Sequence, residues 1–279
     1  MQELLSAMKL EAVCAEQTGA VLHIVLNRPE SRNAMSLQMV AELRQVLTAA
    51  EASAGTTDAV RVVLLRGAGG HFCSGADLKD MSAARMRSMQ RVEDEPDPMA
   101  GVNAAFGHLC VAYAQTPLAM VAVLEGTVMG GGLGLACVAD VAIASETASF
   151  RLPETALGVV PAQIAPFLVE RLGYSQARRL AVTGARLDAA AALHMGLVHE
   201  VTGTAMLTAV LNRALADILA CAPGALAATK ELMQRARFAP PKDLVQHAAD
   251  VFTHSAQGAE GIEGMTAFIQ KRKPQWALQ

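Results

Sequence analysis

The chain has 279 residues, 52% of them hydrophobic and only 18% charged, with a formal net charge of −3. This composition excludes intrinsic disorder, which needs low hydrophobicity and high net charge. The near-neutral balance leaves no electrostatic footprint for nucleic acid or an anionic membrane. Aromatic residues make up 4%, so the apolar excess lies in Ala, Val, Leu, Gly and Met, residues that let backbones pack closely.

The first residues, MQELLSAMKLEAV, lack a basic n-region and carry Glu3 and Glu11, so no targeting segment is read and a cytoplasmic protein is expected. Val21–Leu26 is a short apolar run closed by Asn27-Arg28-Pro29, which predicts a strand ending in a loop. Ser36 then opens a helix with Met39, Val40, Leu43, Val46 and Leu47 on one stripe, and is its expected N-cap. Val60–Arg66 reads as a second buried strand, stopped by Gly67-Ala68-Gly69-Gly70. Ser82 to Pro98 is rich in Met, Arg and acids and reads as a solvated mobile loop, with a flap over a ligand as the alternative.

Pro98 to Leu124 carries no charge and is long enough to raise the question of a membrane span. Asn103, His108, Gln115 and a mid-run Pro117 answer it as a helix, a turn and a buried strand at Ala119–Leu124. Val141–Ala144 is a fourth strand. Beyond Gln163 helical patterns dominate: Pro166–Leu172, Ser175–Thr183, Asp188–Leu193, Met206–Cys221, Ala225–Ala236, Lys242–Thr253 and Gly258–Lys271, with a short strand at Leu197–Val201. The class is α/β followed by a helical part. The five cysteines are scattered without CxxC spacing, and the seven histidines show no ligand-like spacing. The cysteines read as mostly buried small hydrophobes in a reducing compartment, and neither a metal nor a resident cofactor is expected.

Three places combine glycine or a carboxylate with apolar neighbours. His71-Phe72-Cys73-Ser74-Gly75-Ala76-Asp77-Leu78 and Gly126-Thr127-Val128-Met129-Gly130-Gly131-Gly132-Leu133-Gly134 each follow a strand. Such turns leave N–H groups free to donate, and one from each turn makes a two-donor oxyanion hole. The third is Phe150-Arg151-Leu152-Pro153-Glu154, an acid in apolar surroundings, where a carboxyl pKa rises into the range useful for proton transfer. The glycines are not GxGxxG and lack the P-loop lysine, which argues against dinucleotide and nucleoside triphosphate binding through those motifs.

Together these motifs resemble the crotonase (enoyl-CoA hydratase/isomerase) superfamily. The resemblance runs from Leu26-Asn27-Arg28-Pro29 and Asn33-Ala34-Met35-Ser36, through both glycine turns, Ala139-Asp140 and Pro153-Glu154. It ends at Glu263-Gly264-Met265-Thr266-Ala267-Phe268 and Lys271-Arg272-Lys273-Pro274. It implies a spiral of ββα units over residues 1–200 and a helical trimerisation region over 201–279. It implies an acyl-coenzyme A thioester as ligand, with coenzyme A belonging to the substrate, and a homotrimer or dimer of trimers. The thioester oxygen would be held by the N–H groups of Ala76 and Gly131, with Gly130 and Gly134 shaping the turn. Adenine would lie near Ala34, Ser74 and Leu78. Arg32, Lys79 and Lys271 would meet phosphates, Lys271 reaching from the tail of a neighbouring subunit, and Phe268 is a further expected substrate-binding residue.

One departure stands out. Typical members carry one glutamate three residues after the central glycine of the turn and another twenty residues later; here these positions hold Gly134 and Glu154. One carboxylate relays both protons of a syn hydration, or shuttles one proton in an isomerisation. The stretch Thr155-Ala156-Leu157-Gly158-Val159-Val160-Pro161-Ala162-Gln163-Ile164-Ala165-Pro166-Phe167 is similar to the branch acting on isohexenylglutaconyl-CoA and 3-methylglutaconyl-CoA. In that branch the bare Gly134 leaves room for a branched acyl group, and Gln163 is a candidate pocket polar group. Hydratase, double-bond isomerase, thioester hydrolase and non-catalytic acyl-CoA binder all remain open at this point.

Overall fold

A computed structural model describes residues 2–92 and 94–277; Met1, Glu93, Leu278 and Gln279 lie outside the described residues. After a short helix α1 (Gln2–Ala7), strands β1 (Val13–Thr18) and β2 (Val21–Leu26) form an antiparallel hairpin. Helix α2 (Leu37–Ala52) leads to β3 (Val62–Gly67), parallel to β2. Helices α3 (Leu78–Gln90) and α4 (Pro98–Gln115) precede β4 (Ala119–Leu124). Then come β5 (Thr127–Met129), α5 (Gly131–Val138), β6 (Val141–Ser145), β7 (Ser149–Arg151) and α6 (Ala165–Thr183). Strand β8 (Arg186–Asp188), α7 (Ala189–His194) and β9 (Glu200–Thr202) complete the α/β part, and α8 (Leu207–Leu219) to α11 follow.

Six strands form one sheet in the order β1-β2-β3-β4-β6-β9, and three form a second in the order β5-β7-β8. A bridge between Cys73 and Val128 extends the smaller sheet by one residue. From β3 to α6, each turn of the chain thus gives one strand to the large sheet, one strand or bridge to the small sheet and then a helical segment, as expected of ββα units.

The continuous apolar runs follow from burial on both faces. Leu22, Ile24, Leu26, Val63, Leu65, Met120, Ala122 and Leu124 face one apolar core with α2 and α4. The alternate residues Val21, Val62, Leu64, Val121, Val123 and Ile143 face a second, closed by Leu207, Val210 and Leu211 of α8. Ser36 caps α2 by accepting from the Met39 N–H at 3.1 Å. From α2, the buried carboxylate of Glu42 accepts from the N–H groups of Glu11, Ala12 and Val13 at 2.9 to 3.1 Å, fixing the start of β1. Glu42→Ala is expected to cost about 1.5–3 kcal/mol by stranding these donors, read as a lowered urea midpoint with unchanged slope.

Four expectations change. The Ser82–Pro98 loop is helical up to Gln90, because Asp77 caps α3 and only Ala84 on that helix is buried, so no apolar stripe announces it. The two helices at Pro166–Leu172 and Ser175–Thr183 are one element interrupted at Gly173, whose φ is +71°. The final strand lies at Glu200–Thr202, straddling the 200/201 division, and Gly258–Lys271 narrows to α11 (Ala259–Ile269). Pro98–Leu124 is a helix followed by a buried strand, as read, and among the described residues no single helix is long and apolar enough to cross a membrane.

Candidate active site

The loop from Asn27 to Ser36 is organised by Asn33, which is fully buried in a left-handed backbone conformation (φ +57°). Its side-chain oxygen accepts from the Arg28 N–H at 2.9 Å, and its amide donates to Ala68 O (2.9 Å) and His71 O (2.7 Å). Arg28 reaches under the loop to Ala34 O (2.6 Å) and to the Asp77 carboxylate (2.7 Å). The segment after β3 is strapped to this loop. Ser74 N–H donates to Arg32 O, Met35 N–H to Gly75 O and Asp77 N–H to Met35 O, at 2.8 to 3.0 Å.

Burial alone would raise the Asp77 pKa, but hydrogen bonds from Arg28 and from the Lys79 N–H outweigh it and hold the carboxyl below its ordinary value. The stability this gives is present above the unfolded pKa of about 3.8 and is lost as pH falls through the folded value. Arg28→Met is expected to lower the melting temperature at neutral pH and to flatten that acid limb, read from melts between pH 2 and 7 on the order of one pH unit apart.

The glycine turn docks against this strap. Cys73 N–H donates to Thr127 O and Met129 N–H to Cys73 O, while Gly130 N–H donates to Arg151 O. Gly75 (φ +100°) and Gly130 (φ +50°) meet backbone to backbone: a Cβ on Gly130 would lie 3.4 Å from the Gly75 Cα. The positive φ at both positions favours glycine, and a side chain at either would press on the facing turn. Among the described residues neither the Ala76 N–H nor the Gly131 N–H, at the first position of α5, has a hydrogen-bond acceptor.

Glu154 stands three residues beyond β7, at the head of a single 3₁₀ turn. Its Oε1 lies 3.1 Å from where a Gly130 Cβ would be, so the carboxylate rests on the glycine turn. Its Oε2 is buried without a hydrogen-bond partner, and burial raises its pKa above the ordinary glutamate value. Two unclaimed N–H donors and one under-solvated carboxylate therefore border the same contact between Gly75 and Gly130. The Cys73 thiol beneath them is fully buried and pushed up to about 11, which keeps it an unreactive neutral thiol.

Gly134 does not open the space expected of it. A Cβ there would lie 3.1 Å from the Phe106 ring and 3.3 Å from Ile164, and the same ring lies 3.4 Å from the corresponding point on Gly131. Phe106 of α4 thus fills the place a second glutamate would use. Sequence reasoning missed Phe106, Asn103 and the Arg28–Asp77 strap, because their contacts are made only by the tertiary packing of α4 and the loop.

The remaining expected residues divide. Ala34, Ser74, Leu78, Arg32 and Lys79 surround the strap, with Arg32, Leu78 and Lys79 exposed. Gln163 turns toward α4, where its amide donates to Asn103 Oδ1 at 2.8 Å. Phe268 (85% exposed) and Lys271 lie at the end of α11 and make no hydrogen bond or ion pair with the turns among the described residues. No group of three or more His, Cys, Asp or Glu side chains among those residues is placed to hold a metal ion.

Residues 16–279 match the Enoyl-CoA hydratase/isomerase family, and the chain belongs to it. Among solved structures it is similar to Pseudomonas aeruginosa AtuE, 48% identical with a TM-score of 0.90, covering 96% of this chain and 100% of that one. An enoyl-CoA hydratase/isomerase from Marinobacter aquaeolei is 47% identical with a TM-score of 0.89, covering 95% and 99%. A curated relative, the mevalonyl-coenzyme A hydratase sidH of Aspergillus fumigatus, is 30% identical over 93% of this chain and 92% of its own length. The motifs and the fold agree on the crotonase class.

Proposed function

We propose that this protein hydrates a branched, carboxylated 2-enoyl-CoA, of the isohexenylglutaconyl-CoA or 3-methylglutaconyl-CoA type, to the 3-hydroxyacyl-CoA. The observation that carries the reading is the unpartnered Glu154 Oε2 beside the two unclaimed N–H groups of Ala76 and Gly131. In the reaction the water oxygen bonds to C3 and the C2–C3 π pair moves toward the thioester oxygen, where the two N–H groups hold the enolate. Glu154 takes the proton released by water and returns it to C2 on the same face, so one carboxylate closes the balance. A raised pKa keeps Glu154 closer to the proton affinity this relay needs. The reaction uses no resident cofactor, since coenzyme A arrives with the substrate.

Arg32 and Lys79, both exposed beside the strap, are the proposed phosphate contacts within the chain. Lys271 and Phe268 are proposed to act on a neighbouring subunit. Helices α9 (Pro223–Ala236) and α10 (Pro241–Gln257) contain no buried residue, yet Met233, Val245 and Phe252 are exposed. A homotrimer, alone or paired into a dimer of trimers, covers such a surface. A monomer in sedimentation at micromolar concentration would overturn this part.

The occupation of the Gly134 space by Phe106 favours one second reading, a double-bond isomerase, for which a single acid suffices. The test is a panel of straight, branched and carboxylated enoyl-CoA thioesters followed by mass spectrometry. Gain of one water on the branched diacids supports hydration; an absorbance change at constant mass assigns isomerisation; binding without either leaves an acyl-CoA binder and overturns both enzymatic readings.

A further inference from the structure

Three apolar side chains stand against the turn that carries the Gly131 donor. The Phe106 ring lies 3.4 Å from where a Gly131 Cβ would be and 3.1 Å from the corresponding point on Gly134. These two glycines are three residues apart and so share one face of α5. Ile164 lies 3.3 Å from the Gly134 point, and Met35 Sδ lies 3.9 Å from the Gly131 point. Met35 also flanks the other donor. It bridges to Ala76, its N–H donating to Gly75 O and its carbonyl accepting from the Asp77 N–H. One apolar wall therefore borders the residues that carry both unclaimed N–H groups. Glu154 borders the same turn one residue earlier, on Gly130.

The wall is fixed from behind. Gln163, next to Ile164, occupies the space a side chain on Gly107 would take, and its amide donates to Asn103 Oδ1 at 2.8 Å. Asn103 and Gly107 stand on either side of Phe106 in α4, so this amide holds the helix against the segment that bears Ile164. Exposure then singles out one member of the wall. Met35 (6% exposed) and Ile164 (4%) are buried, whereas Phe106 is only half-buried. A partly exposed aromatic ring beside two N–H groups without acceptors is apolar surface that a ligand held on those donors would cover.

The chemistry of the acyl group decides which part covers it. With the thioester oxygen on the Gly131 N–H, C3 is three bonds away, so C3 and its first substituents fall within van der Waals reach of the residues bordering that turn. Glu154, on the Gly130 side, serves the water and C2. At Gly131 and Gly134 the nearest atoms come from Phe106, Met35 and Ile164 alone. A charged branch turned toward them would lose its water without gaining a partner. We propose that Phe106 is a specificity-determining residue: its ring takes the apolar substituent at C3 of the acyl group and so turns the carboxylated branch away from the wall. This inference rests on the reading of the substrate as a branched, carboxylated thioester, and adds which branch meets which side of the turn.

The test uses saturated CoA thioesters, which bind without reacting, in titration calorimetry on the full-length protein. The probes form two pairs: butyryl-CoA with 3-methylbutyryl-CoA, and glutaryl-CoA with 3-methylglutaryl-CoA. The wild type is expected to bind the methylated member of each pair about fourfold tighter, the value of one buried methyl group. Phe106→Ala is expected to bring both ratios to one while the unbranched members keep their affinity. Gly134→Ala presses its Cβ on the ring and is expected to lower both ratios, which carries the test should Phe106→Ala fail to fold. His108→Ala, on the same helix but exposed, is expected to leave both ratios unchanged. Wild-type ratios of one, equal weakening of all four probes by Phe106→Ala, or ratios that neither the Phe106 nor the Gly134 variant changes would overturn the proposal. Binding is read apart from turnover. Wild-type protein that shows the ratios yet adds no water to the unsaturated thioesters overturns the hydratase reading alone. Hydration of the branched diacids with unchanged ratios in the variants overturns this inference alone.

Discussion

Glu154→Gln is expected to lower the hydration rate about 10²–10⁴-fold, the span usual for removing a positioned acid–base group, while thioester affinity stays the same. The substitution keeps the shape and burial of the side chain and removes only its ability to exchange a proton. A binder without catalysis would lose nothing. The same variant has a stability signature of definite sign. Burial raises the folded-state pKa of Glu154 above the unfolded value of 4.5. The contribution of the protonated acid is therefore fully present below the unfolded pKa and is lost as pH rises through the folded one. The glutamine variant has no such loss. It should melt higher than the wild type at neutral pH, and the two curves should converge below about pH 4. A less stable variant at neutral pH would contradict the burial of an unpartnered Oε2. The acid limb of the wild-type kcat/KM profile should likewise lie above the ordinary glutamate value.

Gly132→Ala is expected to damage both fold and site. Its Cβ would fall 2.7 Å from both the Cβ and the carbonyl oxygen of Cys73. The obstacle includes backbone that is itself held by Met129 N–H on Cys73 O and Cys73 N–H on Thr127 O. No flexible side chain can swing aside, so α5 must shift away from the strap. A loss of about 3 kcal/mol follows from overpacking at a rigid contact, read as a lowered denaturation midpoint. The shift also separates the Gly131 N–H from the Ala76 N–H. Rate should fall a further 10²–10³-fold in the fraction that remains folded, the effect of misplacing one oxyanion donor. Gly131→Ala is the informative contrast, since its Cβ would meet side chains rather than backbone, the Phe106 ring at 3.4 Å and the Met35 Sδ at 3.9 Å, and leaves the N–H in place.

The elements legible in the sequence are those whose burial leaves a periodic trace. Ala119–Leu124 is apolar on both faces, Val21–Leu26 is apolar but for the half-buried His23, and α2 carries a full apolar stripe behind a Ser36 cap. Strand β1 alternates, with Cys14, Glu16 and Thr18 outward, and β5, β7 and β8 are only three residues long. Such strands exist because neighbours pair with them, and no local pattern marks them. In the site, the two glycine turns and the acid at Glu154 amid apolar neighbours are legible in the residue types, whereas the choice of Ala76 and Gly131 as donors comes from the family resemblance. Phe106 was hidden in an uncharged helix whose composition says only that it is buried. Its contact with Gly134 depends on how α4 crosses α5, and it reverses the expectation of open space at that glycine.

The order of strands in the large sheet has a consequence for how the chain is made. From β1 through β4, each new strand pairs with the one synthesised just before it, and β6 and β9 then add at the same growing edge. Translation delivers roughly 5–20 residues per second, far slower than hairpin formation at about 1–10 μs. Every strand of this sheet after β1 thus meets an already translated neighbour as it leaves the ribosome. The three parts of the site emerge in the same sequence: the Ala76 strap, the Gly131 turn, then Glu154. The costly desolvated acid is the last of them to be placed, onto backbone that already stands.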